Sequence, residues 1–486
     1  MTLEYDRWEP VIGLEVHLQL NTRSKAFCRC RNSYGDEPNT HVCPVCLGYP
    51  GALPVLNEAM VDAAIRLGTA LGATIHTRTR FARKHYHYPD LPKGYQMTQH
   101  DTPLCTKGWL PLDLHQQRLI GIQRVHLEED AGKSRHTENE TLVDYNRCGA
   151  PLLEVVTAPD LRHPIEAERF LLQLRRLVRA LDICDGDMEK GNLRCDANLS
   201  LRRAGSPRFG TRTELKNLNS MRNVRRALQY EWERQAALLE TGGIVEQETR
   251  SWDESSLQTL LLRSKELLHD YRYMTEPDLG TLVVDESHIE QITAALPELP
   301  HMRARRYYYE FGIAEEQADR LAADKDLAHY FEQTCRAACP HVPVQDIVAW
   351  ITGEAAAVKK EHPGAWDEHP VEPAQLGRLL QLVADRSISR SAAQTVFDMM
   401  VEKREPPETV VERLGLRQIR DASVLRSTLQ DVLLSHPDKA KAYRDGKTGL
   451  RGFFIGQAMR ATAGRADPIL LDQLFDELVS STGETN

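Results

Sequence analysis

The sequence has no long apolar run, and none of its segments approaches the ~18 consecutive apolar residues that a membrane-spanning helix needs. Its first ten residues are polar and acidic, whereas a secretory signal begins with basic residues and continues with an apolar stretch. A hydrophobic share of 41% and a charged share of 27% are those of a soluble globular protein. These features predict a cytoplasmic protein with no membrane segment.

An excess of positive charge is also lacking, because 61 Lys and Arg residues face 70 Asp and Glu residues and leave a net charge of −9. This balance argues against a non-specific nucleic-acid binder, although a local basic patch can still attract a polyanion. The glycine-rich loops of common nucleotide-binding proteins and the GxSxG motif of serine hydrolases are absent as well. Neither a common ATP-binding loop nor a serine nucleophile of that type is therefore expected.

The segment 11–20 has the alternation of a strand with one buried and one polar face. Its apolar positions are Ile12, Leu14, Val16, Leu18 and Leu20. Glu15 and His17 stand two residues apart on the other face, where a carboxylate and an imidazole can share a metal ion or a proton. The alternative is an ordinary solvated strand face.

Two further strand-like segments carry acidic residues that need a partner. Glu129 follows Val125 and Leu127 at intervals of two residues, so the three side chains share one side of a strand. Glu154 is the single acid of the apolar segment 151–157. A buried carboxylate without a partner is costly, so Glu154 requires either an Arg such as Arg147 or a metal. Together with Glu15 and His17, these acids predict a site for Mg²⁺ or Mn²⁺, which prefer oxygen ligands.

Four of the ten cysteines are clustered, with the close pairs Cys28/Cys30 and Cys43/Cys46 separated by twelve residues. Two such pairs on two turns can place four sulfur atoms tetrahedrally around Zn²⁺. Because all four ligands would be protein thiolates, the predicted zinc site is closed and structural.

The segment 83–96 is dense in cations and aromatic rings and is interrupted by two prolines and a glycine, which predicts a shaped loop. Lys84 and Lys93 are candidates for phosphate contacts, and Tyr88 offers a flat face for a base. A solvated surface loop is the alternative.

Short alternating runs in the first half and helical periodicity in the second predict an α+β fold. We expect a large domain on an antiparallel sheet at 1–295, with the zinc-binding insertion at 28–46. A helical domain at 296–407 and a small helical tail at 408–486 would follow. The tail carries a basic cluster that can attract a polyanion, although a solvated helix face is the alternative. The cluster consists of Lys439, Lys441, Arg444, Lys447, Arg451, Arg460 and Arg465.

Several long stretches, in order along essentially the whole chain, resemble the B subunit family of the tRNA-dependent amidotransferases. They include VIGLEVHLQL from Val11, KHYHYPDLPKGYQMTQHD from Lys84, HLEEDAGKS from His126, GNLRCDANLSL from Gly191 and GKTGLRGFFIGQAMRATAGRADP from Gly446. The resemblance implies a ligase that forms a carbon–nitrogen bond with glutamine as the amide donor. It would use ATP and Mg²⁺ to phosphorylate the side-chain carboxylate of mischarged Glu-tRNA(Gln) or Asp-tRNA(Asn).

The resemblance also implies partners and site residues. An amidase partner, the A subunit of the complex, would supply ammonia from glutamine, and the small C subunit would complete a heterotrimer. His17, Glu129 and Glu154 fall on the family's metal-binding positions, with Glu15 close by. Lys84, Tyr88 and Lys93 fall in its active-centre loop, and the four cysteines fall where many members carry zinc. The tail domain, with its basic cluster, would bind tRNA phosphates. The chain departs from the usual pattern at Ala82, Ala158 and Met274–Thr275. Of these positions, Ala82 and Ala158 lie close enough to the candidate sites to leave the substrate preference or the rate open.

Two other functions remain open at this point. The chain could be a tRNA-binding scaffold that has lost the phosphorylation step, or an independent metal hydrolase. The second would need an open zinc site, which a cluster of four cysteines does not offer.

Overall fold

The computed structural model describes residues 7–264 and 271–481, which fall into two compact units that divide between Arg306 and Tyr307. The first unit is built on β-sheet and the second is helical, so the predicted α+β class is confirmed. The structure shows one boundary between compact units, after Arg306. The division into 1–295, 296–407 and 408–486 stays a prediction.

In the described part of the first unit, one sheet contains twelve strands, and all neighbouring pairs except β12 and β13 are antiparallel. Ten strands follow the order β14-β13-β12-β11-β1-β10-β7-β5-β4-β15, while β6 pairs with β7 and β2 pairs with β6. The strands are β1 (Trp8–Gln19), β2 (Thr74–Ile75), β3 (Arg78–Thr79), β4 (Ala82–His85), β5 (Tyr95–Thr98), β6 (Cys105–Pro111), β7 (Leu119–Glu129), β8 (Lys133–His136), β9 (Thr141–Asp144), β10 (Pro151–Thr157), β11 (Leu193–Arg203), β12 (Thr213–Lys216), β13 (Glu248–Asp253), β14 (Gln258–Ser264), β15 (Met274–Thr275) and β16 (Leu282–Val283). Strands β3 and β16 form a separate pair, and so do β8 and β9.

Helices cover one face of the sheet. They are α1 (Glu58–Ala70), α2 (Pro164–Ala180), α3 (Met221–Glu240) and α4 (Glu286–Ala294). The first three contribute buried side chains to the same core as the apolar face of β1, for example Ile65, Phe170 and Leu228. The start of α3 is fixed by Ser220, whose hydroxyl accepts a hydrogen bond from the backbone N–H of Asn223 and caps the helix.

The strict alternation in β1 has the predicted effect. Leu14, Val16 and Leu18 are at most 1% exposed, whereas Glu15 and His17 are half-buried on the opposite face. Burying three such side chains contributes roughly 1.5–3 kcal/mol each, which holds the strand firmly at the centre of the sheet. The polar face of the sheet, opposite this core, can therefore carry the side chains of a binding or catalytic site.

The second unit is helical, and the helix α5 (Pro300–Phe311) spans the boundary in sequence. Its other helices are α6 (Glu315–Ala322), α7 (Lys325–Ala338), α8 (Val344–Trp350), α9 (Ala356–Glu361), α10 (Pro373–Ala384), α11 (Arg390–Lys403), α12 (Pro407–Leu414), α13 (Ala422–Ser435), α14 (Pro437–Arg444), α15 (Arg451–Ala461) and α16 (Pro468–Ser481). Helices α13 to α16 enclose a hydrophobic cluster that includes Leu429, Phe454 and Phe475. None of the described helices combines the length and apolar character that crossing a membrane demands.

Candidate active site

The polar face of the sheet forms the floor of an open cavity of about 1110 Å³. The strand register aligns its side chains in rows, because residues paired across neighbouring strands point to the same face. His17 lies opposite Arg194 on β11 and opposite Glu154 on β10, and Glu154 lies opposite His126 on β7. Eight strands, β1, β4, β5, β7, β10, β11, β12 and β14, contribute to the lining. The lining includes Glu15, His17, Lys84, Gln96, Thr98, Arg124, His126, Glu128, Glu154, Arg194, Asp196, Asn198, Glu214 and Lys216.

One imidazole and two carboxylates converge on this floor. His17, Glu128 and Glu154 each offer one ligand atom, and these atoms all lie within 4.8 Å of one another. The Nε2 atom of His126 lies 3.4 Å from a Glu128 oxygen and 3.3 Å from a Glu154 oxygen. Two hard oxygen donors with one nitrogen, at the bottom of a water-accessible cavity, fit Mg²⁺ or Mn²⁺.

Glu129, which the sequence pattern placed in the magnesium set, is not brought to this cluster. Adjacent residues of a strand point to opposite faces, so Glu128 lies on the cavity face and Glu129 on the other. The Glu129 carboxylate accepts hydrogen bonds from the Lys93 ammonium and from the backbone N–H of Met97. In the structure Glu128 therefore occupies the place expected of Glu129.

Burial and charge shift the pKa values of the cluster in opposite directions. Burial lowers the pKa of His126, but Glu154 and Glu128 more than offset this effect and raise it to about 9. Burial tends to raise the pKa of Glu154, yet the nearby His126 and His17 hold it well below its usual value. The pKa of Glu15 is raised by its burial and by the charge of Glu154.

The three predicted catalytic residues of the loop, Lys84, Tyr88 and Lys93, lie in different places relative to the cavity. Lys84 lines the cavity with its Nζ atom 4.9 Å from the centre of the Tyr271 ring. Burial alone would lower the pKa of Lys84, but the net shift is upward because of Glu128 and neighbouring groups. Tyr88 is 57% exposed at the rim. Lys93 pairs with Glu129, with both side chains at most 4% exposed, and does not reach the cavity lining.

Several cavity residues were not predicted from the sequence, and five of them lie on β11 and β12. Asn198 donates a hydrogen bond of 3.0 Å to Glu15, and Lys216 forms ion pairs with Asp196 and Glu214. The signal was present, because polar and apolar residues alternate along 193–199 just as they do in β1. The sequence of β11 alone, however, does not indicate that this strand pairs with β1.

The four predicted zinc ligands come together. The Sγ atoms of Cys28, Cys30, Cys43 and Cys46 lie within 4.8 Å of one another, which fits a closed tetrahedral zinc site. A hydrogen bond from Cys28 and the charge of Lys25 help to lower the pKa of Cys46 to about 5, despite its burial. A thiolate at this position is the form that binds zinc.

Lys25 links this cysteine cluster to a segment that reaches the cavity. Its ammonium is fully buried, lies 3.7 Å from the Cys46 sulfur, and donates to the carbonyl oxygens of His41 and Tyr145 at 2.7 and 3.2 Å. Two residues after Tyr145, Arg147 lines the cavity and pairs with Asp130. Arg147 is therefore not the partner of Glu154.

The basic residues of the tail lie in the second unit. Lys439, Lys441, Arg444, Lys447, Arg460 and Arg465 are exposed. Arg451 is only half-buried and its guanidinium pairs with Asp472 and Asp476 on α16. The exposed members are available to a polyanion, whereas the charge of Arg451 is already balanced.

Comparison with known proteins gives a consistent result over nearly the whole chain. The sequence model described as "GatB/GatE catalytic domain" matches residues 10–290, and the one described as "GatB domain" matches residues 329–479. A protein of Syntrophotalea carbinolica is 45% identical over 480 residues, which cover 98% of this chain and 99% of that protein. A protein of Moorella thermoacetica is 46% identical over 475 residues, covering 97% and 99%. Both are named as the B subunit of an aspartyl/glutamyl-tRNA(Asn/Gln) amidotransferase.

Proposed function

The chain belongs to the GatB/GatE family of amidotransferase subunits, and we propose that it activates the side-chain carboxylate of a mischarged tRNA with ATP. As a member of this family it is part of a glutamine-dependent amidotransferase, a ligase that acts in translation. The proposed substrates are Glu-tRNA(Gln), Asp-tRNA(Asn) or both. The proposed location is the cytoplasm, where aminoacyl-tRNAs are used.

The observation that carries this proposal is the convergence of His17, Glu128 and Glu154 at the floor of the cavity. These three residues would hold Mg²⁺ or Mn²⁺. The ion, when bound, would supply a positive charge that offsets the negative charge of a phosphoryl group during transfer. A carboxylate is a poor acceptor for ammonia, whereas an acyl phosphate has a good leaving group. Phosphorylation followed by amidation therefore needs no protein nucleophile.

Other residues of the floor would position the reactants. Glu15 is held by the 3.0 Å hydrogen bond from Asn198, and Lys84 places its ammonium near Glu128. The ammonium of Lys84 would hold the substrate carboxylate or the transferred phosphoryl group in place. Tyr88 at the rim would contact the end of the tRNA. Lys93, which is paired with Glu129 outside the cavity lining, would support the loop rather than contact the substrate.

The chain would work with two partners and a structural metal. Ammonia would come from glutamine through the amidase partner, with the small C subunit completing the complex. The four cysteines would hold Zn²⁺, and the exposed basic residues of the tail would bind tRNA phosphates. This assembly keeps the acyl phosphate from water until ammonia reaches it.

The decisive experiment is amide formation on [¹⁴C]Glu-tRNA(Gln) and, in parallel, on Asp-tRNA(Asn), with this chain reconstituted with its two partners. We expect product only with ATP and Mg²⁺. Glu154→Gln should reduce turnover by about 10³-fold or more, because a ligand of the ion that stabilises the transition state is lost, while tRNA binding is kept. Glu138→Gln, which alters an exposed acid on the β8–β9 connection, is the matched control.

Normal turnover in the Glu154→Gln variant would refute the metal assignment. A wild-type complex that binds tRNA and hydrolyses glutamine, yet makes no amide from either tRNA, would instead identify the chain as a scaffold.

A further inference from the structure

The cations that line the cavity differ in whether an acidic partner already balances them. Lys216, Arg194, Arg147 and Arg263 all lie within 4 Å of a carboxylate oxygen. Among the described residues, no carboxylate lies at that distance from Lys84, Arg124 or Arg212. Lys84 is compensated in part by Glu128, and Arg212 is exposed. Arg124 is thus the half-buried cation of the cavity lining whose charge is least balanced by nearby acidic groups.

Arg124 stands next to the proposed metal ligands. It lies on the cavity face of β7, two residues before His126 and four before Glu128. Two residues along a strand correspond to about 6.6 Å, a distance that an arginine side chain can span. The side chains of Thr106 on β6 and Val156 on β10, which lie opposite Arg124, carry no charge. Among the residues aligned with Arg124 across the neighbouring strands, the nearest acid is Glu15 on β1. Strand β1 lies two strands away from β7, which corresponds to roughly 10 Å.

The guanidinium also has an unused hydrogen-bond donor. The Nε atom of Arg124 is buried and has no hydrogen-bond partner in the part of the chain that the structure describes. Leaving a buried donor of a charged group unpaired is unfavourable. Because Arg124 lines the cavity and its planar guanidinium has no anionic neighbour, it is suited to a phosphate, which a guanidinium can bind through two parallel hydrogen bonds.

From these observations we propose that Arg124 binds a phosphate group of the substrate beside the metal cluster. The inference rests on the proposed function and adds a residue to it. The shared chemistry is a phosphate, and its source is either the polyphosphate chain of the nucleotide or the 3′-terminal phosphodiester of the tRNA.

The test compares wild type with Arg124→Gln and Arg124→Lys in the reconstituted complex. Equilibrium binding of a non-hydrolysable ATP analogue with Mg²⁺ is measured by calorimetry, and binding of deacylated tRNA is measured separately. Michaelis constants for ATP and for aminoacyl-tRNA are determined in parallel. Arg118→Gln is the matched control, because Arg118 lies just before the same strand but is already paired with Glu166 at 3.0 Å.

We expect Arg124→Gln to weaken one of the two ligands by about tenfold or more, the usual worth of a hydrogen bond to a charged group. Arg124→Lys should restore part of the loss, and Arg118→Gln should change neither. Weaker analogue binding with unchanged tRNA binding assigns the nucleotide, and the reverse assigns the tRNA. Unchanged binding of both ligands overturns the inference. Because the binding measurements need no turnover, they are informative even if the wild-type complex makes no amide.

Discussion

Glu128 and Glu129 are adjacent in sequence, yet the structure gives them different surroundings. Glu128 faces the cavity with His17 and Glu154, whereas Glu129 pairs with the buried Lys93 on the other side of β7. Alternation along the sequence places Glu129 on the same side of the strand as the apolar Val125 and Leu127. Only the strand register shows which side of β7 faces the cavity, because it places His126 opposite Glu154.

The two glutamates should therefore respond differently to substitution. Glu128→Gln is expected to weaken Mn²⁺ binding by about tenfold or more, since it removes a direct ligand. Glu129→Gln should leave Mn²⁺ binding nearly unchanged but lower the free energy of unfolding by about 3–5 kcal/mol, because it leaves the buried Lys93 ammonium without its partner. Electron paramagnetic resonance of bound Mn²⁺ and denaturant unfolding measure the two effects. Equal loss of Mn²⁺ in both variants would contradict the assignment.

At the scale of elements, the buried Lys25 joins the cysteine loop to the segment after β9, beside backbone and amide hydrogen bonds such as that from the His41 N–H to Asn146. Four thiolates around a Zn²⁺ ion would carry a net charge of about −2, and the Lys25 ammonium next to Cys46 would offset part of it. Within the described ranges, no carboxylate oxygen lies within 4 Å of that ammonium. The Cys46 thiolate is thus its nearest source of negative charge.

Replacing Lys25 with Met should lower the zinc affinity by about tenfold or more, which is the usual effect of losing an outer-shell partner of a metal site. Competition with a chromophoric chelator measures the affinity, and Lys133→Met, at an exposed position of β8, serves as the control. If Lys25→Met lowered the thermal stability of the zinc-loaded and the zinc-free protein equally, with unchanged zinc affinity, Lys25 would be only a hydrogen-bond donor to His41 and Tyr145.

Much of the site could be predicted because its elements are locally patterned. The alternation in β1 placed Glu15 and His17 on a polar face, and the cysteine spacing predicted the cluster of four thiols. What could not be predicted depends on pairing between distant strands. Asp196 enters the site because β11 pairs with β1 in a register that sets it opposite Glu15, and local sequence does not encode such long-range pairing.

At the scale of the whole molecule, the predicted α+β class and the family are confirmed, although the net charge of −9 gave no hint of a tRNA-dependent enzyme. A negative total charge and a local basic surface are compatible, because screening limits each charge to about 8–10 Å at physiological salt. The tail can therefore attract tRNA while the remainder of the protein carries an acidic excess.

The basic residues of the tail should separate into two groups. Lys441→Ala is expected to weaken tRNA binding and to reduce the slope of log K against log salt by about one, because one phosphate contact is lost. Arg451→Ala should mainly lower the thermal stability of the helical unit, since Arg451 joins α15 to Asp472 and Asp476 on α16. Filter binding over a salt series and thermal unfolding test both. A larger loss of tRNA binding in Arg451→Ala than in Lys441→Ala would reverse the assignment.

The central position of β1 also has a consequence for biosynthesis. Its two neighbours, β10 and β11, begin at Pro151 and Leu193, so β1 is synthesised long before either strand that completes its hydrogen bonds. At a translation rate of about 5–20 residues per second, the nascent strand waits roughly 10–35 seconds for β11. During that interval its apolar side chains and unpaired backbone groups are open to other nascent or misfolded chains. Ribosome-associated chaperones should therefore contact this protein early in its synthesis, well before the polar floor of the cavity can form.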